Sequence, residues 1–227
     1  MLVRSATMGA DELVPPGVDE RDAALLRRAY AIQDQDEGGL LYRDWASTYD
    51  RTMIDGLGYL SPMALAAQFE RVVQWRDRSI IDLGCGTGLV GAELHRRRFT
   101  AIDGLDLSEP MTTEARRRVG VYSEFIIADL NQPLPIADGT YAAAICNGTF
   151  TSGHVGAACL DEILRVIEPG GFLSCAVHHS VWDSLGFATA FERLETAGRI
   201  NPIEIVESPY YRTSSSNDGR LCLFRRN

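Results

Sequence analysis

The segment that most constrains this chain is IIDLGCGTGLVGAEL, residues 80–94. It starts as a β-branched apolar run, passes an acid and four glycines, and closes with helical periodicity. Strand, glycine turn and helix in that order open a βαβ unit, which commits the chain to a parallel sheet. Two registers are legible. Gly86, Gly88 and Gly91 spell G-x-G-x-x-G, the pattern that places pyrophosphate on a helix N-terminus. That choice leaves Asp82-Leu83-Gly84-Cys85 as the strand end, a poor buried end that aims a carboxylate at the phosphate. Starting at Gly84 gives the strand Ser79–Asp82 with the acid at its carboxyl end and a tight turn through Gly84, Gly86 and Gly88. Gly91 then needs only a close packing contact. This second register describes a ligand-approach loop beside a carboxylate, suited to an amino group or other cation. No lysine follows the glycines, so the stretch is not a nucleoside-triphosphate loop.

From residue 78 the α/β pattern continues. AIDGLDLS is a strand ending at Leu107, EPMTTEARRRV a helix, SEFIIADL and TYAAAICNG strands. VGAACLDEILRVIE is a helix ended by Pro169-Gly170-Gly171, FLSCAVHH a strand, and VWDSLGFATAFERLETAG a helix stopped by Gly198. Only a Ser/Asn/Gly turn separates PIEIVESPYY from RLCLFRRN, too short for a parallel crossover, so these two strands form an antiparallel pair at one edge. Upstream, residues 19–36 read as a helix stopped by Gly38-Gly39. Residues 40–56 read as a second, with Leu41, Trp45, Tyr49 and Met53 at near-helical spacing, and a third runs from near Pro62 to near Asp77. The division is a loose arm over 1–18, a helical cap over 19–77 and a core over 78–227, cap and core forming one domain.

Net charge is −9 and the pI about 4.9, which argues against nucleic acid as a partner. The triplets Arg96–Arg98 and Arg116–Arg118 read as solvated helix ends. Five cysteines (85, 146, 159, 175 and 222) form no C-x-x-C pair and sit mostly in apolar runs, as expected of reduced, buried thiols in the cytoplasm. No apolar run reaches membrane-spanning length, and no export signal or metal-ligand spacing is read. Nothing in the sequence sets the oligomeric state.

Three further positions fall at strand carboxyl ends, where open α/β sheets bind ligands. Asp106 lies twenty-four positions beyond Asp82, where a carboxylate can accept from both hydroxyls of a ribose. Asp129 with Leu130 suits an adenine amino group and ring, and Asn147-Gly148 ends the fourth strand. The set suits a nucleoside with positive charge and no phosphate, such as S-adenosylmethionine.

IIDLGCGTG, GLDLSEPM, ADL and EPGGFL resemble the motifs of class I S-adenosylmethionine-dependent methyltransferases. YRDWASTYD, CGTGLVGAEL, PLPIADGTYAA and FERLETAG look most like the methyltransferase-like family of the Williams–Beuren syndrome region and its bacterial relatives. The resemblance spans roughly residues 40–227. It implies a Rossmann-like seven-stranded sheet in the order 3-2-1-4-5-7-6, with strand 7 antiparallel and helices on both faces. It further implies that Gly84, Gly86 and Gly88 line the methionine part, Asp106 the ribose, and Asp129 with Leu130 the adenine. Met111 matches a residue beside the adenosine; Asp82, Cys85, Leu107 and Asn147 complete the expected cofactor set. Helical spacing alone reads Tyr42, Trp45 and Tyr49 as core; the resemblance assigns Tyr42 and Tyr49 to the cofactor.

The implied activity is in-line methyl transfer to a small-molecule acceptor. The alternatives are a non-catalytic cofactor-binding module working through a partner, and a nicotinamide-dependent oxidoreductase resting on the Gly86 register. His154, His178 and His179 follow the fourth and fifth strands on the expected rim and are the candidate bases, each equally readable as a packing or capping residue. His95, beside three arginines, reads as solvent-facing, and Tyr210 and Tyr211 as substrate-side or core.

Overall fold

In the computed structural model, residues 14, 17–32, 35–212, 214 and 217–227 are described; the expected arm over 1–18 lies almost wholly outside them. The strands β1 (Ile80–Leu83), β2 (Ile102–Asp106), β3 (Phe125–Ile127), β4 (Tyr141–Phe150), β5 (Ile167–His178), β6 (Ile200–Ser208) and β7 (Gly219–Arg226) form one sheet. Its order is β3-β2-β1-β4-β5-β7-β6. β1 pairs in parallel with β2 and β4, β2 with β3, and β4 with β5. β7 runs antiparallel to both β5 and β6, as the short terminal turn requires.

β1 is buried along its whole length because both of its faces are covered. Its side chains alternate between two cores. Ile81 and Leu83 join a cluster with α6 (Leu160–Val166) and α8 (Phe187–Thr196), while Ile80 faces α1 (Glu20–Ala31), α2 (Gln35–Asp50), α3 (Ser61–Val72) and α4 (Leu89–Arg96). The upstream helices thus share one apolar core with the sheet. α5 (Glu109–Arg116) and the short α7 (His179–Trp182) complete the set. All five cysteines are free and buried.

Several boundaries differ from the sequence reading. Gly38 and Gly39 do not stop a helix; they lie in the first turns of α2, where Gly39 is open and a Cβ on Gly38 would only touch Ile32. A single π-turn, Arg51–Gly56, extends α2. Pro169-Gly170-Gly171 follow the end of α6 but already belong to β5, as a bulge: Tyr141 pairs with Ile167 and Ala143 with Phe172. Gly171 is required there because a Cβ would run into the Ala142 carbonyl. The predicted helix over 181–198 is two, α7 and α8, broken at Gly186, which takes φ +77°.

Asp82 sits on the α4 face of β1. Its Oδ2 accepts from the Tyr122 hydroxyl at 2.7 Å, and it also accepts from the Gly91 amide. Burial raises its carboxyl from 3.8 to about 7; the Asp106 charge adds to the rise, while the Tyr122 and Gly91 bonds oppose it. Gly91 is where the Tyr122 ring lies: a Cβ there would overlap its hydroxyl and ring carbon.

Two outcomes are expected. Gly91→Ala, which in an open helix stabilises by about 0.5–1 kcal/mol, here lowers the urea midpoint, because the methyl displaces Tyr122 from Asp82. The second concerns pH. The folded chain holds the Asp82 proton more tightly than the unfolded chain does, so this group's stabilisation is complete below about pH 4 and is lost as pH rises towards 7. Urea midpoints measured from pH 5 to 8 should therefore move in favour of Asp82→Asn over wild type as pH rises.

Candidate active site

A cavity of about 350 Å³ opens at the carboxyl ends of β1, β2 and β4, with residues that follow β3 and residues of α2 in its wall. It is where a parallel α/β sheet presents ligand sites. β1 ends at Leu83 and Gly84 follows directly, so the fold uses the Gly84 register. Gly84 takes φ +68° and Gly86 φ +56°. A Cβ on Gly84 would strike the Thr149 hydroxyl, whereas one on Gly86 would sit 3.6 Å from Met111 Cε. In the G-x-G-x-x-G reading the Gly86 amide is not free for a phosphate, because it donates to Asp106 Oδ2 at 2.7 Å.

Asp106 ends β2 and enters the cavity wall. Its Oδ1 accepts from the Ser108 amide at 2.8 Å, at the start of α5. Burial raises its carboxyl above the usual range, and the amides of Ser108, Gly86 and Leu107 pull it back. Leu107, 49% exposed, borders the cavity beside it, with Met111 buried behind. Asp129 and Leu130 follow β3 in the same wall, and Asp129 Oδ1 accepts from the Asn131 amide at 2.8 Å. Asn147 lines the floor, its side chain fixed by Ser61, which donates to Oδ1 at 2.6 Å, and by Tyr59, whose hydroxyl accepts from Nδ2 at 2.8 Å.

α2 closes the wall with Gly38, Gly39, Tyr42, Arg43 and Tyr49. Tyr42 and Tyr49 therefore face the cavity as well as the core, while Trp45 stacks on Tyr42 and is 2% exposed. His154 reaches the cavity from the loop after β4. Its Nδ1 lies 2.8 Å from the Ser152 carbonyl, which can only accept, so Nδ1 carries the proton. Nε2 then accepts from the Tyr42 hydroxyl at 2.7 Å. Burial lowers the His154 pKa, against the opposing Ser152 contact.

Five expected residues lie elsewhere. Asp82 faces Tyr122, not the cavity, because alternation along β1 turns it to the α4 side. Cys85 is 6% exposed and packs against Gly104, where a Cβ would be 3.0 Å from its Sγ. Gly88 begins α4 with φ +86° and abuts Tyr122, Arg118 and Ala115. His178 is 3% exposed between the rings of Tyr30 and Tyr210, and burial drops its pKa to about 4. His179 lies beside Glu207, 3.8 Å away, outside the cavity.

Sequence reasoning missed a clamp. Asp50, the last residue of α2, accepts from the Thr87 hydroxyl of the glycine turn and from Arg118. Arg118 Nε in turn donates to the Thr87 carbonyl at 2.7 Å. Arg118 is thus no solvated helix end. The final acid of YRDWASTYD was the signal, but its partners are remote in sequence.

The cavity wall brings Asp106, Glu109 and Asp129 together with one arginine, Arg43, which pairs with Asp44 at 3.3 Å. Such a wall fits a nucleoside bearing positive charge and opposes a pyrophosphate. A family model described as a methyltransferase domain matches residues 80–171. Human methyltransferase-like protein 27 is 33% identical over 182 residues, covering 77% of this chain and 73% of the relative. A demethylmenaquinone methyltransferase of Corynebacterium kroppenstedtii is 33% identical over 127 residues, covering 56% and 53%. Among solved structures, a putative S-adenosylmethionine-dependent methyltransferase of Methanococcus maripaludis has a TM-score of 0.60 at 15% identity, covering 83% of this chain and 93% of that one. The fold, the glycine register and these likenesses agree: the chain belongs to the class I S-adenosylmethionine-dependent methyltransferases.

Proposed function

We propose that this protein methylates a small-molecule acceptor, with the cofactor held by the cavity wall and the acceptor beside Tyr42 and His154. The observation that carries this reading is one continuous cavity with acids at its β2 and β3 ends and His154, bonded to Tyr42, at its α2 end. The similarity to a demethylmenaquinone methyltransferase supports a small acceptor. So does the concave wall that α2 adds, which narrows access to the site.

The cofactor supplies an electrophilic methyl group on a sulfonium. Asp106 holds the ribose hydroxyls, Asp129 and Leu130 the adenine, and Met111 and Leu107 flank the adenosine. Gly84 and Gly86 let the backbone approach the methionine part, with Asn147 beneath. The faces of Tyr42 and Tyr49 favour a cation. α1 to α3 act as a cap over the site, held shut by Asp50. Of the four histidines, His154 alone lines the cavity and is the candidate base; His178 and His179 are not assigned to the reaction.

Among the described residues no helix is long and apolar enough to cross a membrane. The acidic charge and five free, buried thiols support a cytoplasmic protein without a nucleic-acid partner.

Calorimetric titration tests the cofactor assignment. S-adenosylmethionine and S-adenosylhomocysteine should bind at micromolar level and NAD should not. Asp106→Asn should weaken the adenosyl ligands by more than tenfold, about 1.4 kcal/mol. An unchanged affinity would remove Asp106 from the site.

A further inference from the structure

Behind the main cavity lies a smaller hollow of about 30 Å³ that shares Tyr42, Tyr49, Gly148 and His154 with it. Among the described residues no Asp, Glu, Lys or Arg lines this hollow. Its wall is rich in phenols, and most of them are accounted for. The hydroxyls of Tyr30 and Tyr211 bond to each other at 2.9 Å, Tyr59 accepts from Asn147, and Tyr42 donates to His154. Three fully buried polar atoms of the wall have no such partner. Trp45 Nε1, Thr151 Oγ1 and Tyr210 Oη are buried without a hydrogen bond, on side chains 2%, 6% and 2% exposed. Buried polar groups are nearly always paired, so three around one hollow mark a place shaped for a further polar group.

The chemistry of that group is constrained. An indole N–H only donates, so the group brings a lone pair. An ammonium has none. A carboxylate has lone pairs, but its charge would be buried with no cation in the wall. A thiol accepts weakly. A neutral hydroxyl accepts from Trp45 and from one of Thr151 and Tyr210, and its proton is left for a third partner. The volume admits a hydroxyl and the carbon that bears it, not a ring. The rest of the acceptor lies in the main cavity, whose lining continues past the acids to Ile32 and Val155.

We infer that the hollow receives the hydroxyl end of an uncharged phenol or enol, which is methylated on oxygen. The inference rests on the main cavity being the cofactor site. Tyr42 lines both spaces and already donates to Nε2 of His154. The acceptor's O–H bond breaks and its proton passes to the Tyr42 oxygen as the Tyr42 proton passes to Nε2. The acceptor oxygen bonds to the methyl carbon as the carbon–sulfur bond breaks, and that electron pair stays on sulfur. Tyr42 ends as it began, and His154 releases the proton afterwards.

The indole N–H signals of ¹⁵N-labelled protein saturated with S-adenosylhomocysteine test this. The three tryptophans are Trp45, Trp75 and Trp182, and Trp45→Phe assigns the signal that matters. 2-Naphthol should move the Trp45 signal downfield; 2-naphthoate and 2-naphthylmethylamine should not. Thr151→Val should weaken 2-naphthol binding at least fivefold, leave S-adenosylhomocysteine affinity within twofold, and not lower the urea midpoint. With S-adenosylmethionine the product should be 2-methoxynaphthalene. A Trp45 signal unmoved by 2-naphthol, or moved as far by the amine or carboxylate, overturns the inference, as does methylation at a ring carbon. Failure of S-adenosylhomocysteine to bind overturns the reading of the main cavity instead.

Discussion

The contact on which the site depends is the Asp106 carboxylate, shared between the Gly86 amide and the Ser108 amide. One oxygen fixes the glycine turn after β1 and the other fixes the start of α5. The two elements that flank the cavity are thereby tied to one side chain at the end of β2. The cost of burying that charge is visible in its raised carboxyl, and backbone amides offset it. The arrangement holds a negative group at the cavity edge that is already oriented before any ligand arrives.

A second set of bonds links α2 to this frame. α2 carries the aromatic wall and ends at Asp50, which grips Thr87 and Arg118. The glycine turn is therefore held from both sides, by Asp106 beneath and by Asp50 from α2. Any movement of α2 that admits a ligand to the aromatic side must loosen the second grip or bend around it.

Much of this was legible in the residues. Alternating strands and helices, with a turn too short for a crossover at the end, specify the sheet and its antiparallel strand. Comparing the two strand ends settles the glycine register, and the acids at the ends of β2 and β3 follow. Asp82 was misplaced because IIDL shows no polar alternation. A strand covered on both faces gives no sign of which way each side chain turns. Gly38 and Gly39 misled for the opposite reason, since tertiary packing outweighs a weak local preference. His178 ends β5 and His179 opens α7, but the Tyr30 and Tyr210 rings that enclose the first come from α1 and from the loop after β6. Thr151 carries no local signature, and the acid that ends YRDWASTYD shows the Asp50 clamp only through Thr87 and Arg118, far along the chain.

The distribution of the thiols gives the molecule an internal clock. Cys146, Cys175 and Cys222 sit on neighbouring strands at the centre of the sheet, while Cys85 belongs to the glycine turn. A thiol reagent added to the native protein meets none of them at the surface. Where the reagent reacts faster than the structure recloses, its rate counts openings, and the order in which the positions react ranks the turn against the sheet interior. The frequency with which the glycine turn lifts away from β2 can thus be read as a chemical rate, without a label and without a substrate.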